Sequence, residues 1–202
     1  YSPSPLAVIV FGAFAAFMEG RRSGEYRQPL DETDFPFVRE VGRIGVVFAN
    51  SSPPTAPGLA TGRLGAEQIE RIATEMASLG ARGMCRVLVM HHPLTDEATP
   101  IRKALNDRRA LRTALEKTGV ELVLHGHTHR SVWAEITTKD GLRPVVGGAS
   151  ASHPTAHGKY RPARYNLFSI DGGAEGGWLI DVEVRELDPN SGKVNTAERR
   201  RL

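Results

Sequence analysis

Five of the seven histidines of this 202-residue chain lie between positions 91 and 129: His91, His92, His125, His127 and His129. They fall into two groups, and each group directly follows a short apolar run. Val-Leu-Val-Met precedes the His-His-Pro motif at 91–93, and Leu-Val-Leu precedes the His-Gly-His-Thr-His motif at 125–129. Neutral imidazole is a common ligand for zinc, iron and manganese. The residue types and their spacing therefore predict a metal site.

The two apolar runs predict buried strands over Arg86–Met90 and Val120–Leu124, with an amphipathic helix over Asp107–Thr118 between them. A strand, a helix and a second strand in this order predict parallel pairing through a crossover connection. Because α/β sheets place ligand sites at the carboxyl ends of their parallel strands, we expect both histidine groups to meet at one edge of the sheet.

The remaining pattern predicts helical segments first and antiparallel strands afterwards. An apolar helix is predicted over Leu6–Met18 and an amphipathic one over Ala66–Leu79, with Gly80 beyond its end. Predicted strands cover Phe35–Val41, Ile44–Ala49, Ser131–Thr137, Arg143–Val146, Tyr165–Ile170 and Trp178–Val184. The sequence predicts an α/β fold in which a meander continues the sheet, with residues 1–190 as one layered domain.

Composition and charge exclude several classes of protein. With 40% hydrophobic and 24% charged residues, the chain is typical of a globular domain. Cys85 is the only cysteine, which excludes an internal disulfide framework and a zinc site built from cysteines, and favours a reducing cytoplasm. The net charge of +3 resides in the last residues, so we expect a frayed basic tail over 191–202 and no nucleic-acid partner. The apolar run over Leu6–Met18 is shorter than the roughly 20 residues of a spanning helix, so no membrane partner is expected.

The two histidine motifs resemble those of the C-terminal half of the calcineurin-like metallophosphoesterase superfamily. Within that superfamily the chain most resembles the bacterial branch similar to cyclic-nucleotide phosphodiesterases, including its Thr-Gly-Arg-Leu-Gly segment at 61–65 and its strand-rich end. The resemblance covers essentially the whole chain. It implies a four-layer α/β/β/α sandwich, two divalent ions (iron, manganese or zinc) at the sheet edge, and a small phosphate-ester substrate. By position it implies that His91, His127 and His129 are metal ligands.

The sequence departs from that family in one respect. Nothing in it matches the Asp-x-His, Gly-Asp-x-x-Asp or Gly-Asn-His-Asp motifs, which supply the bridging Asp, an Asn ligand and the histidine that acts on the leaving group. The start at Tyr1 resembles the segment immediately C-terminal to Gly-Asn-His-Asp in the family. The resemblance therefore implies that these motifs lie upstream of Tyr1 and that this chain alone is an incomplete enzyme. A natural half-protein or a degraded relative is the alternative account.

The expected function is that of a metal-dependent phosphohydrolase, which cleaves phosphodiesters or phosphomonoesters with a metal-activated water. His92 and His125 are expected to support the ligands or the fold. Asn50 at a strand end, Arg130 after the last ligand and His153 at another strand end are candidates for contact with substrate. Two rival functions stay open. One is a mononuclear zinc hydrolase with three histidine ligands, and the other is a non-catalytic binding module with a vestigial histidine cluster.

Overall fold

The computed structural model of the protein describes residues 34–56, 60–95, 99–156, 158, 160–173 and 177–202. The helix predicted over Leu6–Met18 lies outside these residues. The described residues form a six-stranded sheet with the order β1-β2-β3-β4-β6-β5 and a separate three-stranded sheet with the order β7-β8-β9. The elements are β1 (Phe37–Val41), β2 (Ile44–Phe48), α1 (Ala66–Ala81), β3 (Cys85–Met90), a 3-10 turn (Ile101–Lys103), α2 (Arg108–Thr118), β4 (Leu122–His125), β5 (Val132–Thr138), β6 (Gly141–Gly147), β7 (Arg164–Gly172), β8 (Trp178–Leu187) and β9 (Val194–Arg201).

The centre of the large sheet is parallel. Strands β2, β3 and β4 pair in parallel, with α1 and α2 as the connections, which confirms the pairing predicted from the strand–helix–strand order. The spacing of apolar residues explains the helices, because α1 buries Ile69, Ile72, Met76 and Leu79 along one face. In the register of β3 and β4, Met90 lies opposite His125, so both strands end at the same edge.

Two apolar clusters separate three layers. On one face of the large sheet, Leu88 and Val123 pack in a cluster with buried residues of α1 and α2, such as Met76 and Leu115. On the other face, β3 and β4 pack in a second cluster that includes Ile180 of β8. The described residues therefore form helix, sheet and sheet layers. The second helical layer that the resemblance implies stays a prediction.

The expectation of a frayed basic tail over 191–202 is wrong for β9. This strand pairs antiparallel with β8, and two of its arginines bind acidic residues there. The guanidinium of Arg201 binds the carboxylate of Asp181 at 2.8 Å, and Arg199 binds Glu183 at 3.3 Å. Composition alone counts the basic charges of the tail but not the acidic residues that β8 presents to it.

Two smaller expectations also need correction. Helix α1 does not end before Gly80 but continues to Ala81, and Gly83 with φ +65° is the left-handed residue beyond its end. The amide N–H of Met84 donates to the carbonyl of Leu79 at 3.1 Å and closes this end. The antiparallel strands are shared between two sheets, since β5 and β6 extend the large sheet whereas β7, β8 and β9 form their own. Neither helix of the described chain is long and apolar enough to cross a membrane.

Candidate metal centre

The two histidine motifs meet at the carboxyl edge of the large sheet, as the strand order predicts. His91 directly follows β3, and the carbonyl of His91 accepts a hydrogen bond of 3.1 Å from the amide of Gly126, which directly follows β4. The side chains also meet, because His91 Nε2 lies 3.0 Å from His127 Nδ1. Two of the three predicted ligands therefore share one small region at the end of two parallel strands.

The separation of these two nitrogens fits joint binding of one metal ion. Imidazole nitrogens lie about 2.0–2.1 Å from zinc, so two of them on one ion are about 2.8–3.4 Å apart at angles from 90° to tetrahedral. In addition, His127 Nε2 is buried and has no hydrogen-bond partner among the described residues. A ligand role for His127 therefore rests on the approach of its Nδ1 to His91 Nε2.

His129 lies apart from this pair. Its ring packs beside His153 and Tyr160, with ring centroids 5.7 Å and 6.1 Å away, and His153 in turn stacks on Tyr160. Within the part of the chain that the structure describes, no three His, Cys, Asp or Glu side chains are grouped as a metal site requires. The role of His129 as a third ligand stays a prediction. His153 contacts His129 and so lies at the border of the centre.

The electrostatic surroundings keep the two facing imidazoles neutral. Partial desolvation of its ring, and then the charge of His129, lower the pKa of His91 although the residue as a whole is exposed. Burial, followed by the charges of His91, Lys103 and His129, lowers the pKa of His127. A neutral imidazole offers the lone pair that a metal needs. Since the neighbours that act on these rings are all basic, the edge also favours an anion.

His92 supports the centre from beneath. Its Nε2–H donates to the carbonyl of Ala60 at 3.1 Å, which leaves Nδ1 to accept the hydroxyl of Ser51 at 3.0 Å. The backbone N–H of His92 donates back to the same Ser51 oxygen. Both ring nitrogens are therefore engaged, and burial lowers the pKa of His92 to about 4. The ring lies 4.5 Å from that of His127 between centroids, so His92 packs against a predicted ligand.

The ring of His92 packs directly against the backbone of Gly62, which is possible only because residue 62 has no side chain. A Cβ atom at Gly62 would lie 2.5 Å from the imidazole of His92 and 2.8 Å from the carbonyl of Ser51. The Gly62 amide donates to the carbonyl of Ala104, and the Ala60 amide donates to Arg102. These bonds join the loop around His92 to the basic 3-10 turn.

The other sequence candidates occupy different positions. Asn50 lies in the loop that follows β2. Its side-chain oxygen accepts a hydrogen bond of 3.0 Å from the backbone amide of Ser52, which shapes the loop. Its backbone amide donates to Gln68 at 2.8 Å. Arg130 is exposed beside His129 in the chain. Asn50 thus shapes the loop after β2, and contact of Asn50 or Arg130 with substrate stays a prediction.

Ser51, Lys103 and Tyr160 were not expected at the centre. Ser51 lies beyond the carboxyl end of β2, which neighbours β3 in the sheet, so the strand order itself could have indicated it. Lys103 ends a short turn and Tyr160 lies in a long loop, where no periodic pattern indicates what a side chain contacts. The proximity of Lys103 and Tyr160 to the histidines depends on tertiary packing alone.

No protein-family model matches the chain, and no characterised protein matches it significantly. The family suggested by the histidine motifs is accordingly an expectation from resemblance. The geometry of the two motifs is the main support for a function.

Proposed function

We propose that this chain provides the histidine side of the metal centre of a phosphohydrolase that cleaves phosphodiesters or phosphomonoesters. The observation that carries the proposal is the 3.0 Å approach of His91 Nε2 and His127 Nδ1 at the carboxyl edge of a parallel sheet. His129, two residues further on, completes the proposed ligand set. The resemblance of the motifs supplies the reaction class.

The residues at this centre have different proposed roles. His91 and His127 would hold the metal, and His92 keeps the ring of His127 in place by packing against it. Lys103 raises the positive potential at the edge and so attracts an anionic phosphate ester. A bound divalent ion, whether iron, manganese or zinc, supplies Lewis acidity that lowers the pKa of the attacking water and neutralises the phosphoryl oxygens.

The protein is expected to hydrolyse bis(p-nitrophenyl) phosphate or p-nitrophenyl phosphate in the presence of manganese. Release of p-nitrophenol is followed by absorbance before and after addition of a chelator, and then after manganese is restored. Activity that chelation leaves unchanged would contradict the proposal. Tight metal binding without hydrolysis of either ester would instead favour the non-catalytic binding module.

The 202-residue chain is expected to bind one divalent ion at most. Among the described residues no group of three or more His, Cys, Asp or Glu side chains could hold a metal ion, and the neutral imidazoles of the proposed ligand set would not offset the charge of two adjacent dications. This observation favours one ion, as in the mononuclear alternative. Metal content per chain is measured by plasma mass spectrometry after dialysis against zinc or manganese. Two tightly held ions per chain would show that further ligands exist beyond those assigned.

A further inference from the structure

The backbone around His127 forms an uncommon turn. The amide of Thr128 donates to the carbonyl of Gly126 at 2.7 Å, which closes a three-residue turn with His127 at its centre. The φ of His127 is +64°. A bond between residues i and i+2 with a positive φ at the central residue is characteristic of the classic γ-turn, which is rare and strained. Such strain persists only where the surrounding structure over-determines the conformation.

The carbonyl that closes this turn is also held by the side chain of His125. His125 Nδ1 lies 3.0 Å from the oxygen of Gly126. Because a carbonyl can only accept, Nδ1 must carry the proton and donate it. The amide on the other side of Gly126 donates to the carbonyl of His91. Gly126 is thus fixed by three hydrogen bonds in all: two at its oxygen and one at its nitrogen.

The ring of His125 is enclosed by protein and has no second partner. The residue is 5% exposed, and its Nε2 is buried without a hydrogen-bond partner among the described residues. A buried nitrogen without a partner is unfavourable. The hydrogen bond from Nδ1 to the Gly126 carbonyl is therefore the interaction that explains an imidazole at this position.

Strand β6 leaves space for this ring. Gly147 lies opposite His125 in the register of β4 and β6. A Cβ atom at Gly147 would lie 2.7 Å from Cε1 and 3.0 Å from Nε2 of the His125 ring, and 2.8 Å from Cβ of Val132. The backbone of His125 is held as well, because its carbonyl accepts the amide of Gly148 at 2.8 Å. The position of the Nδ1 donor is consequently set by the sheet.

We propose that His125 is a positioning residue whose Nδ1–H, acting through the Gly126 carbonyl, holds the strained turn that directs the His127 ring at His91. The consequence for metal affinity rests on the proposed function, whereas the consequence for the turn does not. His125 itself makes no contact with the metal in this proposal. Its effect reaches the centre through one backbone carbonyl.

Four variants separate positioning from general stability. His125→Phe keeps a ring but removes the donor, whereas His125→Asn restores an N–H near the position of Nδ1. Gly147→Ala keeps the imidazole but displaces it. Leu115→Ala is the matched control, because Leu115 is fully buried in the helix cluster, and its truncation lowers stability without touching the turn.

Two measurements are made on each variant. Hydrogen exchange of the Thr128 amide reports the turn without any metal, and Co²⁺ titration followed by visible absorption reports affinity. We expect His125→Phe and Gly147→Ala to speed Thr128 exchange about fivefold or more, the equivalent of one lost hydrogen bond. We also expect them to weaken Co²⁺ binding about 10–100-fold. His125→Asn is expected to recover part of both effects, and Leu115→Ala to leave Co²⁺ affinity unchanged.

Thr128 exchange in His125→Phe that matches the rate in wild type would overturn the proposal, as would equal losses of Co²⁺ affinity in His125→Phe and Leu115→Ala. A wild-type chain that binds no Co²⁺ would contradict the proposed function. In that event the exchange of Thr128 still decides whether His125 holds the turn.

Discussion

His91→Ala and His127→Ala are each expected to reduce metal-dependent hydrolysis at least 100-fold, beyond the about 10–100-fold that changes around a ligand typically cost. Each variant removes one of the two nitrogens that face each other at 3.0 Å. The fold should change little, since His91 is exposed and His127 only half-buried. The free energy of unfolding, measured by urea titration, should therefore fall by about 0.5–1 kcal/mol at most. Initial rates with bis(p-nitrophenyl) phosphate, measured with saturating manganese, test the expectation.

Neighbouring histidines provide the controls for this prediction. His92→Ala should be milder than His91→Ala, because both nitrogens of His92 are engaged by Ser51 and Ala60 rather than by a metal. His153→Ala should be mild too, since the ring of His153 packs beside those of His129 and Tyr160 at the border of the centre. A greater loss of activity in His92→Ala than in His91→Ala would mean that the ligand of the His-His-Pro motif is wrongly assigned.

Glu121→Ala is expected to destabilise the fold by about 3–5 kcal/mol, because it leaves a buried guanidinium without its main partner. The carboxylate of Glu121 accepts from Arg86 Nε at 2.9 Å and from the Arg86 backbone amide at 2.7 Å. The side chains are only 7% and 10% exposed. The hydrogen bond to Glu121 is also the main reason that the pKa of Arg86 is raised. Asp140 at 3.1 Å remains as a weaker partner, which places the expected loss toward the lower end of the range.

The matched control is Glu40→Ala, which breaks an arginine–carboxylate pair on the surface. Glu40 binds Arg82 at 2.6 Å, but these side chains are 41% and 51% exposed. Pairs of this kind contribute about 0–1 kcal/mol. Equilibrium urea unfolding of both variants compares the two losses directly. Equal losses would show that burial of the Arg86 pair does not set its contribution.

The sequence predicted the part of the fold that depends on local pattern. The apolar spacing in α1 and the runs before each histidine motif were enough to place two helices and the parallel strands. The prediction of a frayed tail over 191–202 was wrong, because the pairing of β9 with β8 depends on residues outside the tail. A basic segment has the same composition whether it is solvated or faces Asp181 and Glu183.

The centre was predictable to a similar depth. Strand order was sufficient to bring His91 and His127 to one edge, because parallel neighbours share their carboxyl ends. It could not distinguish His129, whose ring turns toward His153 and Tyr160. His129 also has a backbone φ of +53°, and positive φ at a non-glycine residue has no reliable signature in sequence.

The hydrogen bond between the amide of Gly126 and the carbonyl of His91 has a consequence for how such sites can vary. It joins the two motifs directly, so the length of chain between them does not set their separation, although the 3-10 turn in that segment brings Lys103 to the edge of the centre. Insertions or deletions in that intervening segment can alter the sequence distance between the motifs without altering their distance in space. A search for other chains with this centre should therefore fix each motif and its preceding strand, and leave the number of residues between them free.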